Sequence, residues 1–468
     1  MPTATDLDVL ADLDAHAQAA SVATGQCSPE ELILAALARV ERWNPRVNAI
    51  SERDFERALA RARGIDRKLP FAGVPIVLKD STEYPGLGWR GGSRAFAQRR
   101  GQRRPELVKR LEDAGLIVIG KSNMPEGGLL PSTEGLLLGA ARNPWNPAFS
   151  SGGSSGGAAI AVSCGMAPLA QASDGGGSIR IPASCCGVFG LKLSRGRQTP
   201  IRDSHWLEDL LVADLPLTRS VRDAAAMVAI IEDDCAPLGR IKGPSLKRLV
   251  IGLNLRNLRG AEPDDPVRTA VERMAALCRD LGHEVRESTW PFQGAPVLDH
   301  FVIIWSRIAH EFAAAAAASA GELEPWTLQL AEHYRRSDPA ALALALDALG
   351  RLQTSYRRTF DSVDVVLSPV VRTATPLLGT HAPTRQFDEL LRAVFDYVSY
   401  TPLHNLVGAP AMSIPAGFDP RGLPTGAMFA AKYGGEATLL ELAYEIEAAQ
   451  PWPTAQPSLP ISRSMDVL

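Results

Sequence analysis

Two glycine and serine clusters lie about twenty residues apart, Ser151-Gly-Gly-Ser154-Ser155-Gly-Gly157 and Ser173-Asp174-Gly175-Gly176-Gly177-Ser178, and they constrain the fold more than any other feature. Glycine and serine dominate flexible linkers. Here, however, the first cluster opens a short helix at Gly156-Gly157. The second runs straight into Ile179-Arg-Ile-Pro-Ala183 and then Cys186-Gly-Val-Phe-Gly-Leu-Lys192, both apolar segments. Such segments belong to packed structure, so the glycines are read as places where backbone must come close. A run of glycines before Ser178 also lets several backbone N–H groups turn toward one point without Cβ clashes, which is what an oxyanion hole requires. Ser154 stands at the start of the short helix with its hydroxyl available to the same cleft. Lys79, at the end of an apolar run, is a candidate base. Spacing alone leaves open whether the three side chains converge.

The rest of the chain alternates strand-like and helix-like segments. Cys27-Ser-Pro-Glu-Glu31 carries an N-cap serine, a proline at the first helical position and a glutamate placed for a capping box, predicting a helix from Ser28 to about Trp43. Phe71-Ala-Gly-Val-Pro-Ile-Val-Leu-Lys79-Asp80 reads as a buried strand whose polar end faces a cleft. Residues 81–104 read as loop, and 105–125 as helix, strand and loop. A second unit is predicted at Arg248–Asn254, a helix at about Asp265–Leu281 and a return to the sheet at Gly282–Arg286, with a further strand near Val363–Leu367. The alanine-rich stretch Phe312–Ser319 is read as a helix without a functional role. The proline-rich end, Pro451 to Pro460, is read as coil. This rhythm over 468 residues predicts one large α/β domain.

Composition excludes several classes. With 49 Lys plus Arg against 52 Asp plus Glu, the chain lacks the basic excess of a nucleic-acid binder. Six cysteines, none in a C-x-x-C pair, fit neither a disulfide scaffold nor a zinc or redox site, and are expected to be mostly reduced and buried. No signal peptide and no apolar run of about 18 residues is seen, which predicts a cytoplasmic protein without a membrane span.

Two motif matches fail on context. Gly115-Leu-Ile-Val-Ile-Gly-Lys121-Ser122 satisfies the P-loop pattern, but its variable positions are themselves the predicted strand and Asn-Met-Pro follows where a helix must open. Gly152-Gly-Ser154-Ser-Gly156 satisfies the nucleophile-elbow pattern, but a loop precedes it, and His205, His283, His310 and His404 sit in no triad context.

Phe71–Asp80, Gly120-Lys-Ser-Asn-Met-Pro-Glu126, Asn143-Pro-Trp-Asn146, Gly152–Gly157, Ser173–Lys192, Asn405–Pro415 and Gly422–Gly426 together resemble, in order, the segments of the amidase signature family. The resemblance implies a central mixed, twisted β-sheet covered by helices on both faces. It implies a helical segment over 1–70 packed on the domain, a signature core over 71–200 and a variable, mostly helical substrate-side region over 290–400. It further implies that Ser178 is the nucleophile, that Ser154 is a bridging serine on a cis peptide after Gly153, and that Lys79 is the base. The N–H groups of Gly175, Gly176, Gly177 and Ser178 would form the oxyanion hole. Ser155, Asp174 and Arg180 would play supporting roles, the last two as a structural ion pair. No metal or organic cofactor is implied. Ser173 stands where the family usually has Thr, and Leu193-Ser194 where it usually has Pro-Thr; neither change removes a triad group.

Gly175–Ser184 and Gly435-Glu-Ala-Thr-Leu-Leu440 look most like the branch of 6-aminohexanoate cyclic dimer hydrolase and related bacterial amidases. The implied activity is cleavage of C–N bonds in small-molecule amides, with esters, anilides and carbamates open to the same machinery, by a monomer or homodimer. Tyr84, Trp89, Leu129, Leu130, Pro131 and Trp305 are candidates for the acyl pocket. The alternative is the glutamine-hydrolysing subunit of a tRNA-dependent amidotransferase, against which Ile181 stands where that subunit usually has Gln.

Overall fold

The computed structural model describes residues 4–203, 205–234, 237–292, 296–317 and 322–453. The N-terminal part begins as its caps dictate. The Ser28 hydroxyl accepts from the Glu31 N–H at 3.2 Å, the Glu31 carboxylate accepts from the Ser28 N–H at 2.7 Å, and α1 (Pro29–Val47) runs one turn past Trp43. Residues 1–70 are not purely helical, because β1 (Ile50–Arg53) pairs antiparallel with the much later β3 (Ile117–Ser122). That strand was missed because four residues with one buried end carry no readable alternation.

The next strands explain where a site can form. The apolar run before Asp80 folds as β2 (Pro75–Lys79), buried along its whole length between β3 and β4 (Leu169–Asp174) and parallel to both. All three strands therefore end at one edge, placing Lys79, Ser122 and Asp174 and the loops that follow them beside the same crevice, the usual location of a ligand site in an open α/β sheet. β4 pairs antiparallel with β6 (Ala213–Thr218), which sets Asp214 across from Ser173; β5 (Gly190–Lys192) lies between them in sequence. The P-loop match is settled by geometry, since Ile117–Ser122 are strand.

The second α/β unit forms β7 (Val250–Leu253) and β8 (Glu284–Glu287), parallel partners joined by a helix over Asp265–Asp280. β9 (Val365–Pro369) runs parallel to β7 and antiparallel to β11 (Pro424–Ala431), which pairs with β10 (Ala411–Phe418), and β10 pairs with β5. Phe189 and Thr218 exchange backbone bonds at 3.0 and 3.2 Å, joining the six-stranded and five-stranded sections into one mixed sheet.

α2 (Gly156–Ser163) explains the first glycine and serine cluster. Every residue of it is buried, and a Cβ at Gly157 would lie 2.5 Å from the Asn123 backbone N. The cluster is close packing of helix on sheet, not a tether. α3 (Arg180–Cys186) follows the second cluster. Residues 290–400 hold α4 (Val297–Ala315), α5 (Pro325–Arg336), α6 (Ala341–Thr359) and α7 (Phe387–Tyr397), together with β9. The alanine-rich stretch continues α4 to Ala315; its residues 318 and 319 lie outside the described residues, as does the proline-rich end beyond Pro453. Cys27, Cys164, Cys185, Cys186 and Cys278 are buried free thiols, and Cys235 lies outside the described residues. Among the described residues no helix is long and apolar enough to cross a membrane.

Candidate active site

Lys79 is the last residue of β2, 1 % exposed, and its amine is surrounded by three hydroxyls: Ser154 Oγ at 2.7 Å, Ser155 Oγ at 2.8 Å and Ser173 Oγ at 2.9 Å. The Gly153-Ser154 peptide is cis, and Gly153 packs so tightly that a Cβ there would lie 2.5 Å from the Ser132 carbonyl oxygen. Burial pulls the pKa of Lys79 down from the ordinary 10.5 to about 7, against the opposing fields of Asp214 and Asp174. A neutral amine has two N–H donors and one lone pair, so three hydroxyl contacts require one hydroxyl to donate to nitrogen. Ser155 donates its own proton to the Ser173 carbonyl at 3.2 Å and so can only accept from Lys79. Ser154 or Ser173 is left as the proton donor to the amine.

The Lys79 backbone is fixed as well. Its N–H donates to Gln171 Oε1 at 3.0 Å, the Thr82 hydroxyl donates to the same oxygen at 2.8 Å, and the Gln171 amide donates to Asp214 Oδ1 at 3.2 Å. Both ends of the lysine are thereby held.

Ser178 lines the same cavity as Lys79, Ser154 and Ser173, and its hydroxyl is not hydrogen-bonded to that of Ser154. The loop before it departs from expectation at one position. The Gly177 N–H donates to Asp174 Oδ1 at 2.7 Å, so this donor is already committed and Gly177 does not belong among the open donors. Its part is conformational: φ is +134°, and a Cβ would lie 2.4 Å from Thr401 Oγ1. The N–H groups of Gly175, Gly176 and Ser178 have no acceptor among the described residues, and all three residues line the cavity.

Asp174 and Arg180 form a fully buried two-bond pair, Nε to Oδ2 and Nη2 to Oδ1, each 2.9 Å. Burial alone would raise the Asp174 pKa. The Arg180 guanidinium, Lys192 and the Asn405 amide overcome it and hold the carboxyl well below the usual carboxylate range. Asp174 also receives the Ile179 N–H at 3.2 Å, and Asn405 donates to both its side chain and its carbonyl. The pair braces the loop rather than facing the cavity. Of the histidines set aside earlier, His404 lies against Arg180, His283 against Glu445, and His310 against the Tyr334 ring, while His205 lines the cavity and reaches Glu311. None touches Ser154 or Ser178.

The family model described as Amidase matches residues 31–440. The chain belongs to the amidase family. This amidase is 37 % identical over 458 residues to AmiC of Mycobacterium tuberculosis (strain ATCC 25618 / H37Rv), which carries an amidase name, covering 95 % of this chain and 96 % of that protein. It is 33 % identical to the 6-aminohexanoate-cyclic-dimer hydrolase of Pseudomonas sp. (strain NK87), over 95 % and 96 % of the two chains. A solved 6-aminohexanoate cyclic dimer hydrolase with its substrate superposes with a TM-score of 0.87 at 29 % identity, covering 96 % of this chain and 99 % of the other. The amidase is therefore an amide-hydrolysing enzyme.

The cavity of this amidase has a volume of about 650 Å³. Trp89, Leu129, Leu130, Pro131 and Trp305 line it. Tyr84 does not: it is fully buried, with its hydroxyl donating to Glu112 Oε1 at 2.5 Å, a core residue whose polar tip found a partner. Sequence reasoning named Trp305 but missed the rest of its wall. Phe301, Trp305, Ile308 and Phe312 of α4 form a stripe along the cavity, joined by Phe395 and Val398 around the end of α7. Their 4, 3, 4 spacing was a visible amphipathic signal. Phe312, the first residue of the alanine-rich stretch, lines the cavity.

Proposed function

We propose that this amidase opens small carboxylic amides through an acyl-enzyme on Ser178, with Ser154 as bridging hydroxyl and Lys79 as base. The observation that carries the reading is the 2.7 Å contact between a buried lysine amine, its pKa near 7, and the Ser154 hydroxyl, in the wall of the cavity that also holds Ser178. Neutral Lys79 takes the Ser154 proton as Ser154 takes that of Ser178, and the Ser178 oxygen adds to the amide carbon. The oxyanion is received by the open N–H groups of Gly175, Gly176 and Ser178. The proton held on Lys79 returns through Ser154 to the departing nitrogen as the C–N bond breaks. Water then adds to the acyl carbon by the same route, and Ser178 leaves with its proton restored. Base, nucleophile and anion donors all come from this chain.

Esters, anilides and carbamates present the same carbonyl and are substrates on this reading. The likeness to the 6-aminohexanoate-cyclic-dimer hydrolase supports linear or cyclic amides of aminoalkanoic acids as the substrate class. The apolar wall of α4 suits their methylene chains. A fluorophosphonate probe followed by peptide mapping tests the assignment: label is expected on Ser178 and is lost in Ser178→Ala. Label on Ser154 instead, or full amidase activity in Ser178→Ala, overturns it.

A further inference from the structure

Five arginines line the cavity, and four are neutralised. Arg90 pairs with Asp80 at 2.8 Å, Arg103 with Asp203 at 2.8 Å, Arg104 with Glu112 at 3.2 Å, and Arg202 with Asp214 at 3.0 Å. Arg99 alone has no carboxylate partner among the described residues. Its guanidinium lies over the Trp89 ring, 3.4 Å from the ring centroid, and within 5.4 Å of Phe96. Stacking fixes the group through its face and leaves its in-plane N–H donors unspent, the edge that matches a carboxylate.

A continuous wall connects this cation to the reacting groups. A Cβ at Gly128 would touch Ser154 Oγ at 3.2 Å, a Cβ at Gly127 would lie 3.6 Å from the Phe312 ring, Phe312 meets Phe96 edge-on at 5.5 Å, and Phe96 lies under Arg99. Outward from Ser154 the order is thus two glycines that leave room, two aromatic rings, and a cation that feels the field of Glu83 but has no carboxylate within ion-pair distance among the described residues. Such a gradient fits a chain with an amide at the inner end, an apolar middle and an anion at the outer end.

We propose that Arg99, held on Trp89, is a specificity-determining residue that binds a carboxylate at the end of the substrate remote from the amide being cleaved. The inference rests on cleavage at Ser178. It names the preferred substrates as linear amides terminated by a carboxylate. The carboxylate can lie in the acyl half, as in a monoamide of an α,ω-dicarboxylic acid, or in the leaving half, as in an acyl amide of an ω-amino acid.

Both series are compared with analogues of equal length ending in a hydroxymethyl group, which removes the charge and keeps the chain. In one series the full-length wild-type enzyme is expected to show about fivefold to tenfold higher kcat/KM for the carboxylate, a rim-exposed charge pair with good geometry. The advantage shrinks as salt is added. Arg99→Gln erases the ratio, and Arg99→Glu inverts it in favour of the hydroxymethyl analogue. An unchanged ratio in both series for both variants, with melting temperatures confirming that they fold, overturns the proposal. The same ratio is read without catalysis from calorimetric affinities of the two chains for Ser178→Ala with and without Arg99→Gln. Hydrolysis surviving in Ser178→Ala counts against the nucleophile assignment, while the affinity ratio still decides the role of Arg99.

Discussion

Lys79 offers the most direct test, because its chemistry depends on charge. An ordinary lysine with a pKa of 10.5 is neutral in roughly one molecule in 3,000 at pH 7, whereas at a pKa of about 7 roughly half the molecules carry a free amine. The burial of β2, net of the two carboxylate fields, therefore supplies about a thousandfold more base at neutral pH, equivalent to about 5 kcal/mol between the two protonation states. In wild type, kcat/KM is expected to rise with unit slope through pH 7 and then level, as free-enzyme profiles report the essential base. Lys79→Met, of similar length and apolar, should lower kcat/KM by about 10³ or more and abolish that limb. Asp214→Asn removes the larger of the two carboxylate fields that raise the lysine's pKa, so the limb moves to lower pH. Stability carries the same sign. The folded pKa lies below the unfolded one, so the fold bears the whole cost of a charged buried amine below pH 7 and is relieved as pH rises from about 7 toward 10.5. Lys79→Met is accordingly expected to melt higher than wild type at pH 6, with the gap closing by pH 10. A residual activity in Lys79→Met that rises through the same midpoint would falsify the assignment of Lys79 as base.

Two further substitutions probe the surroundings. Asp174→Asn leaves Arg180 charged and unpaired where neither side chain has any solvent exposure, and should cost about 3–5 kcal/mol in urea unfolding; a loss below 1 kcal/mol would show that the pair does not brace the loop. Glu324, 1 % exposed, has its carboxyl lifted to about 7 by burial and by neighbouring Glu126 while accepting the Leu136 N–H at 2.6 Å. Its folded pKa exceeds the unfolded one, so ionisation penalises the fold increasingly as pH rises from about 4.5 through 7. Glu324→Gln, which keeps an acceptor for Leu136, should stabilise the fold by at most about 3 kcal/mol at pH 8, raising the melting temperature there, and hardly change it at pH 4.5. An equal shift at both pH values sinks this account.

What could be read in advance from the sequence, and what could not, follows from the range of the interactions involved. The α1 capping box is local, spanning Ser28 to Glu31, and so is the abrupt end of an apolar strand at Lys79; both are visible in the residues themselves. The convergence of Lys79 on Ser154 and Ser173 depends on β2 lying parallel beside β4, a pairing across some ninety residues that no local pattern encodes. Resemblance to a family supplied the Lys79–Ser154 pairing instead, and the Ser173 contact at 2.9 Å was not anticipated. Gly177 shows the limit of reading glycines as donors. Asp174 takes the N–H groups of residues three and five ahead, much as an N-cap residue does at the start of a helix, and a carboxylate directly before a glycine run was the signal that one donor would be spent.

The α4 stripe shows a different limit. Phe301, Trp305, Ile308 and Phe312 have the periodicity of a core-facing helix because an apolar cavity wall and an apolar core impose the same pattern on a helix. Only the partner differs, and here Phe301 is pinned against the loop, since a Cβ on Gly176 would lie 2.7 Å from its ring. That contact joins the two halves of the chemistry. The glycine that leaves its N–H open to the cavity is also the one that lets the substrate-side helix close down on the loop. On the proposed mechanism, a side chain at position 176 would therefore disturb anion binding and acyl-chain packing together, whereas changes at Trp305 or Phe312, further along α4, alter the chamber alone.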